Sequence, residues 1–159
     1  MGSRLIIRFG HPVWSSSWVN KLRPVRVAFG TDEMTPLVDV ISEHLAKLGH
    51  DVDFLSAPGW WPEVGRSVGE AVSEGRADLG VVCCWTGTGV SISANKVSGV
   101  RAALCVDAQT AAGSRKWNDA NVLALSLRLT SAEVAREILD AFLSTAADPS
   151  ESDAVAQLR

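Results

Sequence analysis

LGVVCCWTGTG, residues 79–89, joins an uninterrupted apolar run to a loop of glycine and threonine. A continuous apolar run of this length is typical of a β-strand that is covered on both faces, as the strands of a parallel sheet are. The two loop glycines let the backbone turn tightly and present several N–H groups to one point, beside a short helix that we expect to begin near Val90. The stretch therefore predicts a buried strand, a tight loop and a helix in direct succession.

On either side of this stretch, short apolar segments alternate with segments whose apolar residues have helical spacing. We expect strands at 25–30, 51–55, 79–83, 100–105 and 121–126, a loop at 58–62, and helices at about 35–48, 63–74, 90 onward, 108–116 and 130–143. Strands that alternate with helices predict right-handed crossovers and helices on both faces of one sheet. The predicted fold is a three-layer α/β domain with a five-stranded parallel sheet.

Three helix ends carry recognisable signals. Thr35 is a suitable N-cap and Pro36 a natural first helical residue, while Gly49 supplies the stop of the same helix. Thr130 and Glu133 have the spacing of a capping box for the last helix.

Composition is that of one globular domain: 159 residues, 47% apolar and 21% charged, with a formal net charge of −3. This charge argues against a nucleic-acid surface, and no apolar run reaches the roughly 18 residues of a membrane span. We expect residues 1–24 to be a poorly ordered extension, an upstream-start artefact or an extra strand, residues 25–146 to form the globular domain, and residues 147–159 to be a frayed tail.

The three cysteines, Cys83, Cys84 and Cys105, have no disulfide spacing, and adjacent cysteines do not form an ordinary disulfide. Reduced thiols point to a reducing compartment, so we expect a cytoplasmic protein. The histidines are scattered, and no CxxC motif is present, so we do not expect a structural zinc site.

The loop after the central strand has the composition of a reactive site. Clustered N–H groups stabilise a phosphate or an oxyanion, and the same field favours the thiolate of Cys84. A thiolate there suits nucleophilic attack or removal of a proton next to a carbonyl. Asp32, at the end of the first strand, lies on the same predicted rim because ligands bind beyond the carboxyl ends of parallel strands. The alternatives are a purely structural turn at the loop and a helix cap or surface charge at Asp32.

Four segments together resemble one family. They are VAFGTD at 27–32, CWTGTGVSISANK at 84–96, VRAALC at 100–105 and NDANVLA at 118–124. They resemble the signature of type B ribose-5-phosphate isomerases and galactose-6-phosphate isomerases, over about residues 25–143. The resemblance implies a Rossmann-like (flavodoxin-like) sheet, a cofactor-free aldose–ketose isomerase, and a homodimer or dimer of dimers with sites built from both subunits.

The resemblance also implies roles for the matching residues. Cys84 matches the base that moves a proton between C1 and C2 of an opened sugar, and Thr86 belongs to the loop that stabilises the enediolate. The residues expected to bind substrate are Asp32, Glu33, Trp85, Gly87, Thr88, Gly89, Trp117 and Asn118, and those expected to bind phosphate are Arg101, Arg115 and Arg128.

Several positions depart from the family pattern. Glu33 stands where a histidine is common, and Trp117 stands at the histidine associated with sugar ring opening. Trp85 replaces a glycine, and Val90 takes the place of a glutamate base, which leaves Cys84 as the base. The arginines that hold phosphate near the C-terminus of relatives are absent. We therefore expect Trp85 and Trp117 to line the pocket and to alter its specificity. Trp60 and Trp61 either add to this effect or cover a core edge or a dimer face.

Three other functions remain open at this point. An isomerase of an unphosphorylated or modified sugar fits the missing arginines, and a sugar-binding domain without turnover fits the missing histidine. Nucleotide binding is the weakest, because the loop lacks both a Gly-Lys-Ser/Thr clamp and the full GxGxxG spacing.

Overall fold

The uninterrupted apolar run forms the central strand of the sheet in the computed structural model, which describes residues 24–56 and 59–158. The elements in chain order are β1 (Arg26–Thr31), α1 (Pro36–Lys47), β2 (Asp51–Ser56), α2 (Trp61–Ser73), β3 (Leu79–Cys84), α3 (Thr88–Ala94), β4 (Ala102–Leu104), α4 (Ala108–Asn118), β5 (Val122–Ser126), α5 (Ala132–Ser144), a 3₁₀ turn (Pro149–Glu151) and α6 (Ser152–Val155).

All five strands are parallel and their order is β2-β1-β3-β5-β4, which confirms the predicted three-layer Rossmann-like class. The last two strands are exchanged relative to the flavodoxin order. The chain leaves β1 toward one edge of the sheet and continues from β3 toward the other. The carboxyl ends of β1 and β3 therefore flank the crevice in which open α/β sheets bind ligands.

Each face of the sheet carries its own apolar layer. The layer beneath α1, α4 and α5 includes Phe29, Ile41 and Phe142, all fully buried. The layer beneath α2 and α3 is made of smaller residues, among them Val68 and Val82. Small side chains suit this face because α2 and α3 pack closely against each other. All six residues of β3 are buried, as a strand covered on both faces requires.

Three predicted helix starts are wrong by one or two residues. Helix α3 begins at Thr88 rather than near Val90. Helix α2 begins at Trp61 rather than Glu63, because Pro62 lies in the first turn, where a missing N–H costs no hydrogen bond. The last helix is capped by Ser131, whose hydroxyl accepts a hydrogen bond from the Val134 amide at 3.3 Å. The predicted cap Thr130 instead donates its amide to the preceding turn.

Strand β4 is shorter than predicted, because side chains replace part of its ladder. Asn95 Oδ1 accepts the Ala102 amide at 2.8 Å, and Asn95 Nδ2 donates to the Ala102 carbonyl at 2.8 Å. The Arg101 amide donates to Asn121 Oδ1 at 2.8 Å. The side-chain amides of Asn95 and Asn121 thus hydrogen-bond the backbone groups at the start of the edge strand.

The structure describes the predicted C-terminal tail but little of the predicted N-terminal extension. The N-terminal extension lies outside the described residues, apart from Pro24. The segment after Ala147, expected to fray, contains a 3₁₀ turn and a helical turn, and the Asp148 amide donates to the Lys116 carbonyl of α4 at 2.8 Å. Within the described part of the chain, no helix is both long enough and apolar enough to cross a lipid bilayer.

His50 gives the fold a pH dependence. It is buried at the start of β2, its Nδ1 accepts the Val25 amide at 3.4 Å, and its Nε2 has no partner among the described residues. Burial lowers the pKa of His50 below 6.5. As the pH falls through about 6.5, His50 therefore becomes protonated in the unfolded chain while it stays neutral in the folded chain.

We expect the free energy of unfolding to be highest above about pH 6.5 and to fall as the pH is lowered through that value. His50→Gln removes the titrating group and should flatten this part of the profile. Urea unfolding at a series of pH values measures both slopes. An equally steep decline in His50→Gln would assign the pH dependence to other groups.

Candidate functional site

Cys84 is the last residue of β3 and faces the layer beneath α2 and α3. Its exposure is 5%, so the thiol lies just under the carboxyl edge of the sheet. The Cys84 carbonyl accepts hydrogen bonds from the amides of Gly87 at 3.1 Å and Leu127 at 3.0 Å. These two bonds tie the loop and the end of β5 to the same residue.

The other two thiols are unsuited to act as thiolates. Cys83 faces the opposite layer, and burial raises the pKa of its thiol far above the ordinary value. Burial also raises the pKa of the Cys105 thiol. Among residues 24–56 and 59–158, no three His, Cys, Asp or Glu side chains are grouped to hold a metal ion.

The loop after β3 has a conformation that requires glycine. Gly87 is the N-cap of α3 with φ +75°, a left-handed conformation, and a β-carbon there would lie 2.9 Å from the Leu125 carbonyl carbon. The first helical hydrogen bond of α3 runs from the Ser91 amide to the Gly87 carbonyl, so the three amides before it are free of helical partners. The hydroxyls of Thr86 and Thr88 lie 2.7 Å apart at the mouth of this loop.

Asp32 lies directly beside this loop. Register pairs Thr31 with Cys83, and the Asp32 amide donates to the Cys83 carbonyl at 3.3 Å. The first and third strand ends thus meet on one rim, as the sequence predicts. The cap of α1 is Thr35, so Asp32 does not serve as a helix cap. Glu33 is exposed, and its carbonyl accepts a hydrogen bond from the Thr31 hydroxyl at 2.8 Å.

The Asp32 carboxyl is held in an unfavourable environment for a charge. Its Oδ1 is shielded from solvent and has no hydrogen-bond partner among the described residues. Burial raises the pKa of Asp32 above its ordinary value, a hydrogen bond from the Asp32 amide opposes this, and the nearby Glu33 carboxylate adds to the rise. A partly desolvated carboxyl with one oxygen left without a partner, at a strand end, is a common feature of functional sites.

Two tryptophans complete the rim, Trp60 and Trp61, for which the sequence left open either a role in specificity or the cover of a core edge or dimer face. A cavity of about 370 Å³ is lined by Asp32, Gly59, Trp60, Trp61 and Pro62. The indole of Trp61 lies so close to Gly89 that a β-carbon there would be 2.9 Å from it. Trp61 reaches this place because α2 begins after β2, whose carboxyl end lies next to that of β1 in the sheet.

Trp85 and Arg128 also lie on this rim. The Trp85 carbonyl accepts the Arg128 amide at 3.0 Å and the Ser126 hydroxyl at 3.0 Å. Both the Trp85 and Arg128 side chains are exposed. The link holds the residues after β3 and β5 side by side, and it places the backbone of Arg128 next to that of Trp85.

Four predicted site residues lie at the opposite, amino edge of the sheet. Trp117 and Asn118 end α4, which runs away from the rim and leads into the start of β5. Asn118 lines a separate cavity of about 660 Å³ together with Arg101 and residues 95–100. Trp117 is exposed and packs on Gly113. One chain alone therefore does not bring these residues to Cys84.

The two arginines of that edge are engaged in structural contacts. Arg101 Nη2 lies 2.8 Å and Arg115 Nη1 3.2 Å from the carboxylate of Asp119, whose backbone is left-handed with φ +44°. Arg101 Nε also donates to the Asp119 carbonyl, and Arg115 Nε to the Thr145 carbonyl. Both guanidinium groups thus join α4 to its neighbours within the chain.

The sequence profile of the family Ribose/Galactose Isomerase matches residues 20–157. Galactose-6-phosphate isomerase subunit LacB of Clostridium acetobutylicum is 38% identical over 80% of this chain and 76% of its own length. Ribose-5-phosphate isomerase B of Escherichia coli is 37% identical over 74% of this chain and 83% of its own. The solved ribose-5-phosphate isomerase B of Clostridium thermocellum superposes with a TM-score of 0.80 at 35% identity, covering 84% and 94% of the two chains. The chain therefore belongs to the ribose/galactose isomerase family, a family of aldose–ketose isomerases that act on sugar phosphates.

Proposed function

We propose that this chain interconverts an aldose phosphate and its ketose phosphate by proton transfer between C1 and C2. The observation that carries the proposal is the position of Cys84, at the carboxyl end of the central strand and beside a loop that glycine alone can form. The relatives named above act on different sugars, so the exact sugar is a separate question. Ribose 5-phosphate is the first candidate.

Cys84 is the proposed base. Its thiolate removes the proton from C2 of the open aldose, and the electron pair forms the C1–C2 double bond of an enediolate while negative charge moves to O1. Amides of the first turn of α3, with the Thr86 hydroxyl, stabilise that charge. Return of a proton to C1, and transfer of the O2 proton to O1, completes the ketose and regenerates the thiolate.

Arg128 is the proposed phosphate ligand of this rim. Its amide is tied to the Trp85 carbonyl, and its exposed guanidinium reaches into solvent beside the loop. Arg101 and Arg115 are occupied by Asp119 and by backbone carbonyls, so neither is part of the proposed phosphate site.

We also propose that a second copy completes the site. Trp117 and Asn118 lie at the edge of the sheet opposite Cys84, so they reach a Cys84 loop only from another subunit. Ile92 on α3 and Val106 after β4 are apolar and exposed on neighbouring elements, as a surface that packs against a copy would be. Asn118 of the partner subunit would then line the sugar pocket, and a homodimer is the smallest assembly that allows this.

Solvent exchange tests the proposed function. In D₂O, we expect the chain to incorporate deuterium at C2 of an aldose phosphate, because the proton removed by the base equilibrates with solvent. The loss of the C2 proton signal in ¹H NMR spectra measures this incorporation. Ribose and ribose 5-phosphate, and galactose and galactose 6-phosphate, form matched pairs. We expect kcat/KM to favour the phosphorylated member by about 100-fold or more, since an arginine–phosphate contact adds a charge-assisted bond.

The alternative functions predict other outcomes of the same experiment. Exchange without preference for the phosphate would indicate an isomerase of unphosphorylated sugars. Saturable binding without exchange would indicate a sugar-binding domain and would contradict the proposed catalysis.

A further inference from the structure

Sugars that cyclise reach an isomerase mostly as closed rings, and a ring must open before a C2 proton becomes acidic. Opening moves one proton from the anomeric hydroxyl to the ring oxygen, so a group that both accepts and donates a proton accelerates it. Histidine is the usual carrier near neutral pH. The rim therefore needs a second proton carrier besides the base that forms the enediolate.

No histidine of the described residues lies on the rim. His44 is on α1, where its Nε2 lies 2.7 Å from Asp140 of α5 on the outer surface of the domain. His50 is buried at the amino edge, where β2 begins. The titratable groups that the structure places at the carboxyl ends of β1 and β3 are Asp32, Glu33, Cys83 and Cys84.

Of these groups, Asp32 has the surroundings of a proton carrier. Cys83 is buried on the far face, and Glu33 is exposed to water. Asp32 lines the cavity walled by Trp60 and Trp61, and its Oδ1 has no partner in the described structure. Desolvation and the Glu33 carboxylate both raise the pKa of Asp32, which increases the share of the neutral acid.

We propose that Asp32 opens the sugar ring, an assignment that rests on the proposed isomerase function. One carboxyl oxygen accepts the proton of the anomeric hydroxyl as the O1 electron pair forms the C1=O bond. The bond from C1 to the ring oxygen breaks, with its electron pair going to the ring oxygen, and the other carboxyl oxygen donates its proton there. The carboxyl ends in its initial protonation state, and Cys84 then acts on the open aldehyde.

Two probes separate ring opening from enediolate formation. Turnover of ribose 5-phosphate, which is mostly a closed ring, requires both steps. Solvent deuterium exchange at C1 of ribulose 5-phosphate requires only enediolate formation, because the phosphate on O5 blocks a five-membered ring. We expect Asp32→Asn to lower kcat/KM for ribose 5-phosphate by about 100-fold or more and to keep ketose exchange within about 3-fold of wild type.

The controls distinguish the failure of this assignment from failure of the proposed function. Asp39→Asn, an exposed carboxylate in the first turn of α1, should match wild type with both probes. Asn has the shape of Asp and removes a charge that its surroundings disfavour, so we expect the thermal midpoint of Asp32→Asn to be no lower than that of wild type. Equal losses with both probes, or no loss with either, would overturn the role of Asp32 while leaving the isomerase intact. A wild-type chain inactive with both probes would reject the isomerase and the assignment together.

Discussion

Cys84→Ala is expected to abolish the exchange of the C2 proton of an aldose phosphate, with a residual rate at least about 1,000-fold below wild type. The physical reason is that no other group at the end of β3 can replace the base: Cys83 points to the opposite layer, and Val90 at the start of α3 has no titratable group. Deuterium incorporation measured by ¹H NMR with ribose 5-phosphate checks this directly. Undiminished exchange would reject Cys84 as the base.

Cys83→Ala provides the matched control, because it removes a thiol one residue away on the other face of the same strand. Burial holds that thiol protonated by raising its pKa, so we expect exchange within a few-fold of wild type. Cys84→Ala removes only a small, nearly buried side chain, and its far-ultraviolet circular dichroism should match that of wild type. Loss of exchange in both variants would indicate damage to β3 rather than loss of a base.

Gly87→Ala is expected to lower the free energy of unfolding by about 3 kcal/mol or more and to stop proton exchange. A left-handed backbone disfavours any β-carbon, and here the new atom would also meet Leu104 Cδ1 at 2.5 Å and the Leu125 carbonyl carbon at 2.9 Å. The clashing atom of Leu125 belongs to the backbone of β5, which cannot shift easily. The clash is therefore relieved only by moving the loop away from Cys84. Urea unfolding and the exchange assay measure the two effects.

Gly75→Ala separates the backbone cost from the clash. Gly75 has φ +72°, nearly the same as Gly87, yet nothing lies within 4 Å of an added β-carbon. We expect a loss of about 1 kcal/mol with exchange unchanged, since only the left-handed conformation is penalised. If Gly87→Ala were as mild as Gly75→Ala, the loop would not be held in place by β5.

The predicted strands and helices rest on short-range signals, and most of them are confirmed. The run of 79–83 becomes a strand because its residues are apolar on both faces, and Pro36 and Gly49 mark the ends of α1 because their backbone preferences are local. The errors lie at the first residues of helices, where neighbouring residues compete for the cap and first-turn positions. Ser131 rather than Thr130 caps α5, and Trp61 rather than Glu63 begins α2.

The candidate site was predicted in part. The meeting of Asp32 with the Cys84 loop follows from the rule that parallel strands end on one rim, and register confirms it. The sequence left two roles open for Trp61, because its contact with Gly89 depends on the distance between α2 and α3. The grouping of Asn118 with Cys84 in one pocket was inferred from resemblance, and a single chain places them at opposite edges.

The sequence by itself determined the alternation of strands and helices, the glycine loop and the cysteine that stands before it, because periodicity and backbone preference act over a few residues. Only the tertiary structure decided the strand order, the unpaired carboxyl of Asp32 and the engagement of Arg101 and Arg115 by Asp119. These features depend on which distant groups come within a few ångströms of one another, and on how much water is excluded between them. Packing of the whole chain sets both.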